Sequence, residues 1–265
     1  MANAVLDRAT FVRPIAHRGL HDAERGVLEN SAPAFAAAIA GGFGIECDVR
    51  SAVGGMPVVF HDADCQRLLG LALEVASLGA TEFAALNYPD GSPVLTLAAL
   101  LALVEGRVPV LVELKDDWKG ADMDFLTEVA RLASAYRGPL AVMSFEPQLM
   151  AAMSQLAPAV PRGLVAADFA TDPQVVRVLG APRAASLAEM EAFETAGASF
   201  AAYHVEALAT PAIRRLRQDG LPVFAWTVRD ERQLAIAVEH ADAPIFEGGI
   251  RSAIDHLSCS TGQRQ

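Results

Sequence analysis

Short apolar runs alternate with helical segments along most of this chain, and this alternation constrains the fold more than any other feature. Nine runs have the length and apolar character of buried strands, beginning with RPIAH at residue 13 and ending with PIF at residue 244. Two of them, FGIECDV and MPVVFH, flank a turn with two glycines and are predicted to pair as a hairpin. Removing the return arm leaves eight units of strand followed by helix.

Eight such units close a TIM (β/α)8 barrel, and 265 residues is the size expected for one. The predicted fold class is therefore α/β, a TIM (β/α)8 barrel with a small insertion after the second strand hairpin. An open doubly wound sheet is the alternative, but no GxGxxG turn follows an early strand. We place the insertion at about residues 63–93, where turn signals accumulate, and expect a single domain over 1–265.

Composition argues against several classes of partner and site. A formal net charge of -11 argues against nucleic acid, although a local basic cluster could still bind one small anion. Apolar stretches end well before the ~20 residues of a membrane span, and the N-terminus lacks a signal-peptide core, so we expect no membrane span and a cytoplasmic location. Three widely spaced cysteines, Cys47, Cys65 and Cys259, fit neither a disulfide framework nor a structural zinc site.

Three carboxylates fall at predicted strand ends, where a barrel places its chemistry. Glu46 and Asp48 share one face of a strand, because residues i and i+2 point to the same side. Glu113 ends the strand VPVLVEL and adds a third carboxylate. Such a set needs a neutralising cation and suits Mg²⁺ or Ca²⁺ better than Zn²⁺. Salt bridges with Arg50 and Lys115 are the alternative explanation.

Two histidines form a candidate acid and base pair. His17 and His61 each end an apolar run, and each is followed by a charged residue. An unperturbed pKa of about 6.5 lets one imidazole accept a proton while another donates one near neutrality. Arg18 follows His17, and Lys115 shares the face of Glu113. Two cations beside a metal favour binding of an anion such as phosphate.

Other residues have two interpretations each. Trp226, in FAWTV, either packs in the core or lines a substrate pocket. Asn30 either caps the helix that follows it or orients a catalytic group. The remaining histidines are weaker candidates: His21, His204, His240 and His256.

Taken together, these motifs resemble the glycerophosphodiester phosphodiesterase family, the soluble bacterial type. HRG followed by EN, then ExD, VVxHD, VELK, SF and WTV occur in the family's order and approximate spacing over nearly the whole chain. The resemblance implies a TIM barrel that hydrolyses glycerophosphodiesters to glycerol 3-phosphate and an alcohol. It implies a small-molecule glycerophosphodiester substrate and one divalent cation, Mg²⁺ or Ca²⁺, with Mn²⁺ as a further candidate. The oligomeric state does not follow from it.

The same resemblance assigns roles to the candidate residues. It implies acid and base catalysis by His17 and His61, and a supporting role for Asn30. The implied metal ligands are Glu46, Asp48 and Glu113. The implied substrate contacts are Arg18, Lys115 and Trp226.

The chain departs from the family pattern at several positions. The usual ENT is ENS here, and TVN becomes Thr227, Val228 and Arg229. Glu247 and Gly248 replace the late TD pair, and the stretch after HD is altered from Arg67 to Gly70. These changes touch the rim, so they bear on substrate identity more than on the reaction.

Two alternative functions remain open at the level of sequence. A lysophospholipase D, or a cyclising phospholipase-type lyase, would need an apolar entrance, and residues 68–86 are apolar enough to supply one. A non-catalytic barrel that binds a phosphorylated metabolite is the alternative from another class. Retention of both histidines and all three carboxylates argues against it.

Overall fold

The computed structural model describes residues 4–120 and 122–254. A single sheet contains the strands, which are, in chain order, β1 (Ile15–Ala16), β2 (Gly44–Ala52), β3 (Met56–Val59), β4 (Val110–Leu114), β5 (Leu140–Ser144), β6 (Arg162–Ala166), β7 (Phe200–His204), β8 (Val223–Val228) and β9 (Ala243–Phe246). The α-helices of the same residues are α1 (Arg8–Phe11), α2 (Ala32–Ala40), α3 (Gln66–Leu69), α4 (Ala80–Ala84), α5 (Leu97–Val104), α6 (Met123–Ala135), α7 (Pro147–Leu156), α8 (Pro173–Leu179), α9 (Ala181–Ala188), α10 (Pro211–Gln218) and α11 (Glu231–His240).

The sheet closes into a barrel. β1 pairs in parallel with both β2 and β9, and the remaining neighbours run in parallel in the order β9, β8, β7, β6, β5, β4 and β2. The only antiparallel strand within the described residues is β3, which pairs with β2 as the predicted hairpin. Eight parallel strands with surrounding helices confirm the predicted TIM (β/α)8 barrel.

Alternation of side chains along the strands builds the core in two layers. On β4, for example, Leu111 belongs to a small cluster with Phe200 and Phe224, whereas Val110 and Val112 belong to the larger cluster that includes the helices. Successive residues of a strand face opposite sides, so the small cluster fills the barrel and the large one joins barrel to helices. The interior is therefore packed with apolar side chains below the level at which the polar residues begin.

Residues 63–93, predicted to be irregular, contain the short helices α3 and α4 together with turns. Their apolar side chains form a separate cluster with Val58 and Phe60 of the hairpin arm, including Val75, Leu78 and Phe83. This segment thus packs against the outside of β3, beside the end of the barrel where that strand stops.

The structure also bears on the predictions made for the cysteines and for membrane-spanning segments. Cys47 and Cys65 are buried free thiols, and Cys259 and His256 lie outside the described residues. None of the helices in residues 4–120 and 122–254 has the length and apolar character needed to cross a membrane.

The hairpin turn offers a matched test of how this region packs. A Cβ on Gly55 would lie 2.6 Å from backbone atoms of Asp124 and Phe125 at the start of α6, whereas Gly54 has nothing within 4 Å. Both glycines have a left-handed φ, +74° and +73°. We expect Gly55→Ala to lower the free energy of unfolding by about 1–3 kcal/mol more than Gly54→Ala, because overpacking adds to a shared strain. Urea denaturation measures the difference; equal losses would contradict the contact with α6.

Candidate active site

Three buried carboxylates meet at the C-terminal end of the barrel. Glu46 and Asp48 lie on β2, and Asp48 is the direct cross-strand partner of Glu113 on β4. One oxygen from each carboxylate lies within 4.8 Å of one from each of the others. Cys47 and Val49, between and after them, face the outer core. The structure thus places Glu46 and Asp48 on the shared face that strand geometry predicted, and brings Glu113 to them from the neighbouring strand.

Two cationic side chains balance part of this negative charge. Lys115 Nζ lies 3.0 Å from Asp48 Oδ1 and also forms an ion pair with Glu113, and Arg18 Nε lies 3.1 Å from Asp48 Oδ2. Burial alone would raise the pKa of Asp48, but the charges of Lys115 and Arg18 outweigh it and lower that pKa. Burial, together with repulsion from Asp48 and Glu113, raises the pKa of Glu46 well above its usual value. Three carboxylates against two cations leave one carboxylate without a cationic partner, so either a proton or a bound cation must neutralise it.

The donor set fits one hard divalent cation. Oε1 of Glu46 is buried and accepts no hydrogen bond from the described residues, while its Oε2 accepts one from the backbone N–H of Arg18. Carboxylate oxygens are the ligands that Mg²⁺ and Ca²⁺ prefer. The alternative explanation by salt bridges holds for Lys115 but not for Arg50, which instead pairs with Asp117. Lys115 alone leaves the Glu46 oxygen without a partner.

The loop after β1 places a backbone donor on this cluster. Arg18 adopts a left-handed φ of +53°, and its N–H donates to Glu46 Oε2 at 2.9 Å. The next residue, Gly19, has φ +79°, and a Cβ there would lie 2.8 Å from the carbonyl carbon of Ala34 in α2. Only glycine fits this close approach of loop and helix without strain. Gly19 of the HRG motif is therefore needed for the conformation of the loop that carries His17.

Asn30 lies beside a carboxylate of the cluster. Its Nδ2 donates to Asp48 Oδ2 at 3.0 Å, and its Oδ1 accepts the backbone N–H of Asp48 at 3.3 Å. Ser31, the next residue, caps α2 by accepting from the N–H of Ala34. Of the two interpretations of Asn30, the geometry favours contact with Asp48 over helix capping.

Both candidate histidines line the same cavity, of about 290 Å³. Nδ1 of His17 lies 2.9 Å from Glu247 Oε1, and Nδ1 of His61 lies 2.7 Å from Asp62 Oδ1. Burial lowers the pKa of His17 to about 4, although the bond to Glu247 opposes this, and burial also lowers the pKa of His61. Burial therefore favours the neutral form of both imidazoles.

The cavity has a polar side and an apolar side. Its polar side is lined by His17, Arg18, Glu46, His61, Glu113, Lys115, Thr227 and Arg229. The apolar side includes Met143, Phe145, Val165 and Trp226. Asp48 lies behind this lining, joined to it by ion pairs with Arg18 and Lys115, and Asn30 is hydrogen-bonded to Asp48. All nine residues predicted from the sequence thus belong to one site.

Trp226 lines the cavity and is also held by aromatic neighbours. Its ring stands edge to face with Phe145 at 5.4 Å and with His204 at 5.2 Å between centroids. Lys115 Nζ lies 5.6 Å from the Phe145 centroid, so the aromatic side adjoins the cationic side. Trp226 therefore both packs against aromatic neighbours and lines the pocket, so each of the two interpretations holds in part.

Sequence reasoning assigned no role to the carboxylates that bind the two histidines. Asp62 directly follows His61, and Glu247 directly follows β9, at the same end of the barrel as His17. Both positions carry the signal of a carboxylate at a strand end, which is the signal that identified Glu46. His21, a weaker candidate, has ligand atoms within 4.8 Å of those of His17 and Glu247.

Comparison with known proteins identifies the family. The model of the glycerophosphoryl diester phosphodiesterase family matches residues 17–246, from the first candidate histidine to the last strand. The chain belongs to this family. This membership confirms the family that the sequence motifs resemble. It also confirms the prediction that the protein is an enzyme, a phosphoric diester hydrolase. Comparison with the curated proteins gives no match.

Solved structures share the same fold. A glycerophosphodiester phosphodiesterase from Thermotoga maritima has 22% sequence identity and a TM-score of 0.70, over 92% of this chain and 97% of that chain. A phosphodiesterase from Oleispira antarctica, solved with the product sn-glycerol-3-phosphate, has 20% identity and a TM-score of 0.74, over 92% and 96% of the two chains. One from Agrobacterium tumefaciens has 22% identity and a TM-score of 0.66, over 91% and 99%. At these identities the likeness establishes the barrel fold alone.

Proposed function

We propose that this phosphodiesterase hydrolyses glycerophosphodiesters to glycerol 3-phosphate and an alcohol, with one divalent cation and with His17 and His61 as acid and base. The observation that carries the proposal is the single cavity in which three carboxylates, two cationic side chains and two histidines meet. Membership of the family supports the substrate class. The sn-glycerol-3-phosphate bound to the Oleispira antarctica relative supports the product.

Glu46, Asp48 and Glu113 would hold the cation, which is Mg²⁺ or Ca²⁺ in this proposal, with Mn²⁺ as a further candidate. Bound there, the cation would offset negative charge on the phosphodiester and on the transition state. Asn30 supports the site by orienting Asp48: its Nδ2 donates to the Asp48 carboxylate, and its Oδ1 accepts the backbone N–H of Asp48. The other oxygen, Asp48 Oδ1, faces Lys115 at 3.0 Å on the side of the carboxylate cluster.

Arg18 and Lys115 bind the phosphate of the substrate. A phosphodiester is an anion that repels nucleophiles until its charge is neutralised, and both side chains line the cavity beside the carboxylates. Their existing ion pairs with Asp48 hold them in place before the substrate arrives. Trp226 borders the glycerol or the leaving group on the apolar side of the cavity.

The two histidines move the protons. One histidine, neutral at Nε2, takes a proton from the attacking hydroxyl, either of water or of the substrate's own glycerol, as that oxygen bonds to phosphorus. The other histidine acts as the acid with a second proton on Nε2, which it gives to the leaving alkoxide as the P–O bond breaks. His17 and His61 suit these tasks because each holds one ring nitrogen against a carboxylate and lines the cavity with the ring.

We further infer that residues 1–265 act as one domain, with residues 63–93 as an insertion beside the mouth of the barrel. Contacts from that segment to the site support this inference. Arg67 binds Glu29 in the loop before α2, and the Tyr88 hydroxyl donates to the carbonyl of Asn30 at 3.3 Å. A cytoplasmic location stays a prediction.

Exposed apolar residues in the same segment favour a second candidate function. The side chains of Leu71 and Leu73 are exposed, at 40% and 41% of their surface. They could contact the acyl chain of a lysophospholipid presented at a lipid surface, which would make the enzyme a lysophospholipase D or a cyclising lyase. A lysophospholipid should therefore be tested beside the water-soluble diesters.

The first test is release of glycerol 3-phosphate from glycerophosphocholine and glycerophosphoethanolamine. Protein stripped with EDTA should release none, and added Mg²⁺, Ca²⁺ or Mn²⁺ should restore release, because the uncompensated carboxylate cluster needs a cation. Lysophosphatidylcholine is tested in parallel by release of choline, because a lysophospholipase D would leave lysophosphatidic acid and no glycerol 3-phosphate. Equal release with and without EDTA would contradict metal dependence. Turnover of the lysolipid alone would replace the proposed substrate by the second candidate.

Removal of either histidine should slow the reaction sharply. We expect His17→Ala and His61→Ala each to lower turnover by at least about a hundredfold, the effect of losing a positioned proton carrier. His240→Ala, at the end of α11, is the matched control and should keep wild-type turnover. Steady-state assays on glycerophosphocholine measure these values. Near wild-type turnover in either of the first two variants would refute the assignment of that histidine.

A further inference from the structure

Each of the two histidines donates to a carboxylate through the same ring nitrogen. Nδ1 of His17 lies 2.9 Å from Glu247 Oε1, and Nδ1 of His61 lies 2.7 Å from Asp62 Oδ1. An ionised carboxylate has only acceptors, so each Nδ1 carries the proton and each Nε2 is left as an acceptor. For His17 that second nitrogen lies 3.9 Å from Glu46 Oε2, on the side of the carboxylate cluster.

Each of these carboxylates also accepts two hydrogen bonds from an arginine, in the same geometry at both sites. Arg229 donates from Nε to Glu247 Oε2 at 2.9 Å and from Nη2 to Oε1 at 3.0 Å. Arg67 donates from Nε to Asp62 Oδ2 at 2.6 Å and from Nη2 to Oδ1 at 3.1 Å. In both cases the oxygen that receives Nη2 is the one that receives the imidazole. A two-pronged guanidinium fork fixes the plane of a carboxylate, which a single bond does not.

Both arginines are themselves anchored. Two further bonds from Arg67, at 2.7 and 2.9 Å, reach Glu29, whose Oε1 also accepts from Arg18 Nη1 at 2.7 Å. The backbone N–H of Arg229 donates to Gln233 Oε1 at 2.8 Å, directly after β8. The two arginines are half-exposed, at 48% and 52% of their side chains, so burial does not explain their placement.

We propose that Arg229 and Arg67 are positioning residues, which hold Glu247 and Asp62 so that His17 and His61 keep the proton on Nδ1 and present Nε2 to the substrate. This inference rests on the proposed function for its effect on turnover. The competing explanation is that the arginines bind the substrate phosphate directly. The two explanations differ in which kinetic constant changes, because a positioning residue alters the proton transfer and a phosphate ligand alters binding.

The kinetic test uses Arg229→Met and Arg67→Met, with Arg131→Met as the matched control. Arg131 makes a similar two-pronged contact with Glu128, but on the outer helix α6. We expect each of the first two variants to lose kcat on the order of tenfold, as for other residues that orient a catalytic side chain, with little change in KM. The control should match the wild type. A raised KM with unchanged kcat would overturn the proposal in favour of direct binding.

Crossed double variants show whether each arginine acts through its own histidine. Arg229→Met should cost nothing further in His17→Ala, because the group it positions is gone, but should cost its full tenfold in His61→Ala. Arg67→Met should show the reverse pattern. Losses of the same size in both backgrounds would overturn the proposal. Arg229→Gln and Arg67→Gln replace the methionine variants if those do not fold.

A readout that needs no turnover separates this inference from the proposed function. Nitrogen-15 NMR of the imidazole rings distinguishes the Nδ1–H form from the Nε2–H form. We expect both rings as Nδ1–H at pH 8, with the Nε2–H form increasing for His17 alone in Arg229→Met and for His61 alone in Arg67→Met. Unchanged ring signals would overturn the proposal even if kcat fell. If the wild-type protein gives the expected ring signals but cleaves no diester, the proposed function is refuted. The positioning of the two histidines by Arg229 and Arg67 is then still supported.

Discussion

Repulsion among three buried carboxylates is the constraint on which the rest of the site depends. Glu46, Asp48 and Glu113 bring oxygens within 4.8 Å of one another at the end of a barrel whose interior is otherwise apolar. In such surroundings like charges cannot persist without compensation. Lys115 and Arg18 supply part of it through ion pairs to Asp48, and the remaining excess of negative charge gives the site its affinity for a cation.

The fold provides this arrangement through features of the backbone. β2 continues past the barrel as a hairpin arm, so one strand carries two of the carboxylates and leads through β3 to His61. The left-handed turn at Arg18 aims a backbone N–H at Glu46 and brings His17 to the same mouth. The loop after β1 and the hairpin therefore hold part of the site, whereas β4 and β8 carry Glu113 and Trp226. The chemistry lies at the strand ends because only there do side chains of several strands converge without filling the core.

Much of this could be predicted from the sequence, for physical reasons that also set the limit. The alternation of apolar runs and helices predicts the barrel, and the spacing of Glu46 and Asp48 predicts their shared face, because both follow from local periodicity. The pairing of Glu247 with His17 spans 230 residues and depends on β1 and β9 being neighbours in the closed sheet. The fork of Arg67 on Asp62 depends on the turn geometry of a short helix, which periodicity does not describe. Contacts that depend on the order of strands in the closed sheet, or on the geometry of a turn, are thus visible only in three dimensions.

Anomalous diffraction from crystals grown with MnCl₂ and glycerol 3-phosphate tests the central claim most directly. The claim is that the carboxylate cluster binds a divalent cation beside a phosphate. We expect a manganese peak bonded to Glu46, Asp48 and Glu113, with the phosphate against Arg18 and Lys115. A phosphate bound with no manganese at the cluster, and Lys115 still paired with Asp48 and Glu113, would contradict it.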